Sequence, residues 1–271
     1  LLFSATFPAQ VDQIAKVALR MSGNQAYSLI DTIGDDEMPT HKIPQSSMVT
    51  TIEEQMPVVM ALLAQQARIP NHKVIVFMTT ARATQLFAEV FNVLADMRVF
   101  KAKALEIHSR KSQAQRTRTS EEFRNSNQAI LFSSDVSARG MDYPDVSFVL
   151  QVGVPSDKAQ YVHRLGRTAR AGKTGQGLLV LADFEKYFLA QLKELPVKTA
   201  PAVPKAELDS MWYSTEEALS KAHKANPQIG GMAYQAWLGF YNSFCGKLHW
   251  SKPELVEQAN YYALECLKLS E

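Results

Sequence analysis

The sequence predicts an α/β fold, a parallel sheet with helices on both faces, followed by a small all-helical C-terminal extension. Three observations carry that expectation. Between residues 46 and 192, short apolar runs alternate with longer segments whose apolar positions recur at helical spacing. The runs VIVF, AILF and FVL are almost free of polar residues, as strands covered on both faces require, so the units read as βαβ. Beyond the proline-rich stretch 196–204, only helical periodicity continues, over 207–225, 231–244 and 252–269.

Composition sets the outer bounds. The chain has 271 residues, 46% of them hydrophobic and 21% charged, enough for one large domain or one domain with an extension. A formal net charge of +2 announces no nucleic-acid binder, so any electrostatic footprint must be local. No apolar run approaches membrane length and no signal peptide opens the chain, so no membrane partner is expected. Cys245 and Cys266 are the only cysteines and stand far from any His pair at metal spacing. Reduced thiols, no metal site, and the cytosol, nucleus or mitochondrial matrix follow as expectations.

In chain order, Leu1, Leu2 and Phe3 read as a buried strand without its partners, so the sequence is expected to be part of something longer. Val11, Ile14, Ala15, Ala18 and Leu19 predict a helix over 10–21 that stops at Gly23, with a strand over 26–30 behind it. Acidic, turn-rich residues 31–45 lack periodicity and read as a linker. A strand over 46–56 and a helix over 56–67 follow. Strands at 73–77, 104–107, 128–132, 147–154 and 178–181 then alternate with helices at 81–94, 112–123, from 157 through Thr168, and 184–192. Ligands in such sheets bind beyond the carboxyl ends of the strands, where Thr79, His108 and Ser134 fall. Residues 196–204 are too rich in proline for a helix or central strand and read as an extended tether. In the extension Tyr234, Trp237, Phe240, Tyr241 and Phe244 recur at spacings of three and four; the stripe suits a packed core, with base stacking as the alternative.

Chemistry concentrates between Ser133 and Arg170. An apolar strand hands over to Ser133, Ser134 and Asp135, short hydrogen-bonding side chains able to hold a polar ligand. Gly140 allows close backbone approach, and Asp142 offers a carboxylate able to accept from a sugar hydroxyl. His163, Arg164, Arg167 and Arg170 put an imidazole and three guanidinium groups within eight residues. If the turn stays helical, Arg167 and Arg170 point to one side and grip one anion together; a solvated basic face is the plainer reading. The segment AGKTG imitates the end of a P-loop, but five residues separate Gly166 from Gly172 where four are required, and a helix precedes it. It is expected to be a turn ending the helix that carries Arg167 and Arg170.

These segments also carry a family resemblance. DVSARGMD and YVHRLGRTARAGKTGQG resemble motifs V and VI of the DEAD-box RNA helicases; LLFSATFP resembles motif III, VIVFMTT motif IV, and Gln113 to Arg116 the QxxR element. Five elements in the family's order make a specific signal where one motif would not. The resemblance implies a RecA-like sheet and four regions: 1–30 as a remnant of a first RecA-like domain, 31–45 as linker, 46–195 as the second RecA-like domain, and 196–271 as tether and helical extension. It implies that Arg167 and Arg170 are catalytic arginines, that Gly140 and Asp142 approach the ribose, that His163 links the domains, and that Ser4, Ala5 and Thr6 couple nucleotide to domain closure. Gln113, Arg116, Ser134 and Thr80 are implied on RNA, Thr80 alternatively as a helix cap. ATP with Mg2+ would be bound mainly by the first domain, so this segment alone is expected to be inactive; RNA and that first domain are the implied partners, in a monomer. Three departures stand out: Ser134 for threonine, Ser109 for glycine after His108, and Ala169 for glycine, a mild change if it lies on a helix. The layout of the extension is similar to that of fungal mitochondrial DEAD-box splicing chaperones and implies the mitochondrial matrix, with nucleus or cytoplasm as alternatives. A noncatalytic RNA-binding module with idle arginines, or a DNA helicase or translocase of the same superfamily, are the rival readings.

Overall fold

The computed structural model describes residues 14, 17, 39–137, 143–170 and 172–269. The chain divides into two compact units, Leu1–Met38 and Pro39–Glu271. In the first, only the exposed, helical Ile14 and Val17 are described. The strand expected over 26–30, and Ser4, Ala5 and Thr6, lie outside the described residues.

In the second unit seven parallel strands form one sheet: β1 (Gln45–Thr50), β2 (Lys73–Phe77), β3 (Ala104–Ile107), β4 (Ala129–Ser133), β5 (Phe148–Val152), β6 (Gln176–Ala182) and β7 (Val197–Thr199). Their order is β3-β4-β2-β5-β6-β1-β7. The described helices are α1 (Ile52–Ala67), α2 (Ala81–Asp96), α3 (Gln113–Asn125), α4 (Lys158–Leu165), α5 (Lys205–Ala225), α6 (Ile229–Asn242), α7 (Cys245–Leu248) and α8 (Lys252–Tyr261).

Alternate residues of one strand serve two different cores. Val74, Val76, Ile130 and Phe132 join the larger core, which includes side chains of α1 and α2, whereas Ile75, Phe77, Leu131 and Val149 join Phe123 of α3 and Tyr143 in the smaller one. Double coverage is why these strands read as continuous apolar runs, each fully buried side chain contributing about 1.5–3 kcal/mol.

Four expectations need correction. The strand expected over 46–56 ends at Thr50, because Thr51 and Glu54 form a reciprocal capping box that starts α1 at Ile52. The helix expected through Thr168 stops at Leu165, with Gly166 as its C-cap. Residues 183–192 form a 3-10 segment, Asp183–Leu192, rather than an α-helix. Within the proline-rich tether, Val197–Thr199 pairs with β1 as an edge strand, the position a proline-flanked strand tolerates.

The extension is packed onto the sheet domain. Helix α5 lies against α1 and α2, and α6 against α2. The aromatic stripe is core: Trp237 and Tyr241 are buried, with Phe184 of the 3-10 segment 5.3 Å from Tyr241 and Tyr262 stacked 5.2 Å from Trp237. No described helix is long and apolar enough to cross a membrane.

Candidate functional site

The sheet order makes β4, β2 and β5 neighbours although the chain reaches β5 only after β4, so the connection crosses over β2. Crevices at such a reversal, outside the carboxyl ends, are where parallel sheets bind ligands. The candidate residues fall into two groups, one around that crevice and one after α4.

The first group lies on the rim formed by β3, β4 and β2. Thr80 follows β2 and caps α2: its hydroxyl accepts from the Ala83 N–H at 3.0 Å. Ser134 follows β4, is buried, and donates its N–H to the Ile107 carbonyl of β3 at 3.2 Å. Gln113 and Arg116 occupy the first turn of α3, after the carboxyl end of β3, where Arg116 Nη2 donates to Gln113 Oε1 at 2.6 Å. That bond orients both side chains together. Four residues from three segments are thereby brought to adjacent strand ends beside two helix N-termini, where backbone N–H groups favour anions.

Two arginines of the same rim escaped the sequence reading. Arg82 stands in the first turn of α2 and Arg110 in the loop after His108. Partial burial, and after it the positive field of Arg110, push the Arg82 guanidinium below its usual range. Arg82 Nη1 donates to Gln85 Oε1 at 2.9 Å, and an anion bound near both arginines would offset their repulsion. Their signal was a basic residue three (Arg110) or five (Arg82) positions past a strand's carboxyl end. Beneath them, His108 is buried, with Nδ1 accepting from the Arg110 N–H at 3.3 Å and Nε2 lying 3.7 Å from Glu106 Oε2. Burial alone would raise the Glu106 carboxyl, but His108 and the ion-paired Lys111 hold it below its usual range. Ser109, in place of glycine, is not among the positive-φ residues, so the substitution carries no backbone strain there.

The second group follows α4. Asp157 caps the helix by accepting from the Gln160 N–H at 2.7 Å. His163 and Arg164 lie in its last turn, Arg167 and Arg170 beyond its end. Arg164 is not part of an anion grip: it is 1% exposed, donates through Nε and Nη2 to Asp135 Oδ1 at 2.7 Å each, and lies 5.6 Å over the Phe77 ring. It welds α4 to the end of β4. Arg167 and Arg170 do not share a helical face, since the chain turns there: the Thr168 hydroxyl donates to the Val146 carbonyl, and Ala169 takes φ 54°. Each arginine instead folds back, Arg167 Nε to the His163 carbonyl at 3.2 Å and Arg170 Nε to the Gly166 carbonyl at 2.8 Å. Both are half-buried. Because Val146 precedes β5, this turn sits beside the amino end of β5, away from the carboxyl rim. Ala169 is thus no mild helical change, since the left-handed region favours glycine. Gly140 and Asp142 lie outside the described residues.

The donor set suits an anionic ligand. Among the described residues no group of three or more His, Cys, Asp or Glu is placed to ligate a metal, and what the second group supplies is guanidinium charge.

A doubly covered parallel sheet with a basic rim at the carboxyl ends of its strands, and an arginine turn near the amino end of β5, defines a RecA-like domain. The family described as helicase conserved C-terminal domain matches residues 54–172. A protein of Oryza sativa subsp. japonica named DEAD-box ATP-dependent RNA helicase 25 is 45% identical over 245 residues, covering 90% of this chain and 39% of its own length. One of Arabidopsis thaliana named probable DEAD-box ATP-dependent RNA helicase 48 is 44% identical over 267 residues, covering 97% and 31%. Among solved structures, Mss116p DEAD-box helicase domain 2 bound to an RNA duplex is 28% identical with TM-score 0.69, covering 83% of this chain and 87% of that one. Mss116p bound to ssRNA and AMP-PNP is 26% identical with TM-score 0.77, covering 98% and 51%. The chain belongs to the DEAD-box helicase family, of which it carries the C-terminal helicase domain. It spans between 31% and 39% of the length of these two curated relatives.

Proposed function

We propose that the complete protein is an ATP-dependent RNA helicase that separates RNA strands locally or acts as an RNA chaperone, and that this chain carries its second RecA-like domain and a helical extension, preceded by a remnant of the first domain. The observation that carries the reading is the convergence of Thr80, Gln113, Arg116 and Ser134, with Arg82 and Arg110, on the ends of three adjacent strands. Such a rim grips a backbone of regularly spaced phosphates and offers no array for reading bases, so binding is salt-dependent and indifferent to sequence.

In this reading Arg167 and Arg170 provide positive charge where the terminal phosphoryl group leaves. Arginines supplied across an interface contribute about 10³–10⁵ in rate in well-studied nucleotide hydrolases. Their Nε bonds to backbone carbonyls fix the direction of each side chain before ligand arrives, the pre-organisation that such electrostatic assistance requires. Gly140 and Asp142 approach the ribose, and His163 and the Ser4, Ala5, Thr6 element communicate with the first domain; these roles rest on the motif resemblance. ATP with Mg2+ is held mainly by the first domain, and hydrolysis requires the domains to close. The extension's layout supports the mitochondrial matrix as the compartment, which fractionation of cells expressing the complete protein would check.

ATP hydrolysis by the complete protein, measured with single-stranded RNA and with DNA, tests the reading. Stimulation by RNA alone is expected; equal stimulation by DNA, or none by either, overturns it. Arg110→Ala should weaken binding to all RNA sequences alike and reduce the slope of log affinity against log salt by about one.

A further inference from the structure

Glu185 is fully buried, in the first turn of the 3-10 segment that follows β6. Its Oε1 accepts from the Val154 N–H at 2.7 Å and from the Tyr241 hydroxyl at 2.6 Å, and its Oε2 from the Ala182 N–H at 2.8 Å. One carboxylate therefore joins three parts of the molecule: the end of β6, the turn leaving β5, and α6 of the extension. Burial pushes this carboxyl above its usual range, while the three donated hydrogen bonds pull against burial.

The turn it holds has little freedom. Gly153 takes φ 79°, and a Cβ there would stand 2.5 Å from Thr79 Cγ2 and 3.4 Å from Glu185 Oε1. Two residues after Val154 comes Ser156, whose carbonyl lies 3.5 Å from Lys247 Nζ of α7, a second tie to the extension. Asp157 then caps α4, the eight-residue helix that ends immediately before the arginine turn. At the other end, Phe184, Trp237 and Phe240 surround the Tyr241 ring at 5.3, 4.3 and 5.0 Å. The hydroxyl is thus aimed by packing. A core needing only stability would fill this position with an apolar side chain, because a buried carboxylate is costly unless its donors are placed well. What three fixed donors add is geometry.

We propose that Glu185 is a positioning residue: together with Tyr241 it transmits docking of the helical extension to the Gly153–Val154 turn and, through α4, to the placement of Arg167 and Arg170. The inference rests on the reading that these arginines act in ATP turnover. Helix α4 is short and capped at the turn, so a displacement there is carried along it, and misplacement of a reacting group by about 1 Å can cost about a hundredfold in rate.

The test uses the complete protein with Tyr241→Phe, which keeps the ring and removes the hydroxyl, and Glu185→Gln, each alone and combined with Arg170→Ala. Tyr241→Phe should lower RNA-stimulated kcat by roughly five- to tenfold with KM for ATP nearly unchanged, and by less than about twofold once Arg170 is alanine, since groups acting as a unit are non-additive. Amide hydrogen exchange in 154–165 should accelerate while that of 73–77 does not change. Unchanged exchange in 154–165 overturns the relay whatever happens to turnover. Accelerated exchange with normal kcat, or a fall in kcat equally large without Arg170, overturns the positioning role. If the unsubstituted protein shows no RNA-dependent hydrolysis, the functional reading is what fails, the positioning role falls with it, and exchange still decides whether the structural relay exists. Should Glu185→Gln not fold, Tyr241→Phe decides alone.

Discussion

Arg170 and Ala169 sit side by side in the turn after α4, and they make opposite demands on it. Arg170 is held by its own chain through the Gly166 carbonyl. In the complete protein Arg170→Ala should lower ATP turnover by roughly a hundredfold, about 3 kcal/mol, far more than it weakens RNA binding without nucleotide. Lysine should rescue poorly because it lacks the planar fork. Near-normal turnover with weakened RNA binding would move Arg170 to the RNA surface. Ala169 meanwhile holds φ 54°, a conformation that glycine adopts freely and alanine does not. Ala169→Gly should relieve strain but loosen the unfolded chain less favourably; the net gain expected in thermal or denaturant unfolding is about 0.5–1 kcal/mol. Loss of stability on that change would mean that the turn is held without strain.

Among the elements, α2 carries a residue with two claims on it. Thr80 caps the helix through the Ala83 N–H, and the same hydroxyl stands on the rim with Ser134 and Arg82. Thr80→Asp separates the claims, because aspartate caps as well as threonine does but places a negative charge beside bound phosphate. Stability should change by less than about 0.5 kcal/mol while RNA affinity falls several-fold. Unaltered affinity would confine Thr80 to capping. Helix α4 shows how element ends escape a reading of periodicity. Thr168 falls at helical spacing from Leu165 and Tyr161, yet its hydroxyl bonds the Val146 carbonyl, 22 residues earlier in the chain, and the helix stops. Helix α1 is the converse, since the Thr51–Glu54 capping box is written in four consecutive residues and could have been read locally.

At the scale of the whole molecule, the extension and the sheet domain of Pro39–Glu271 share one core. Gln65 Nε2 of α1 donates to Glu207 Oε2 of α5 at 3.0 Å, Tyr261 of α8 donates to Glu53, and Tyr241 reaches Glu185. Ending the chain after Ala200 would strip α1 and α2 of their cover and orphan the Glu185 carboxylate. The expected result is loss of a cooperative unfolding transition or a fall of several kcal/mol in stability, read by calorimetry. A truncated protein as stable as the whole would show that the shared core is dispensable. On the extension's surface, Lys221 is paired with Glu217 at 2.8 Å and Lys247 lies 5.1 Å over the Phe244 ring.

The parallel sheet, its double coverage, the helical extension and its buried aromatic stripe were legible in the sequence, because burial of apolar surface imposes a period on neighbouring residues. The motif spacings carried the family for a similar reason: each motif is a local segment whose residues follow one another. What only the tertiary structure decided involves groups far apart in the chain. It separated Arg164, locked onto Asp135, from Arg167 and Arg170, and it gathered Arg82 and Arg110 onto the rim of Gln113 and Arg116. It also joined Glu185 to Tyr241, 56 positions apart. Hydrogen bonds and ion pairs depend on distances of about 3 Å and on direction. No periodicity records them, so which of several nearby polar side chains is spent inside the fold, and which is left to meet a ligand, becomes visible only when the chain has closed on itself.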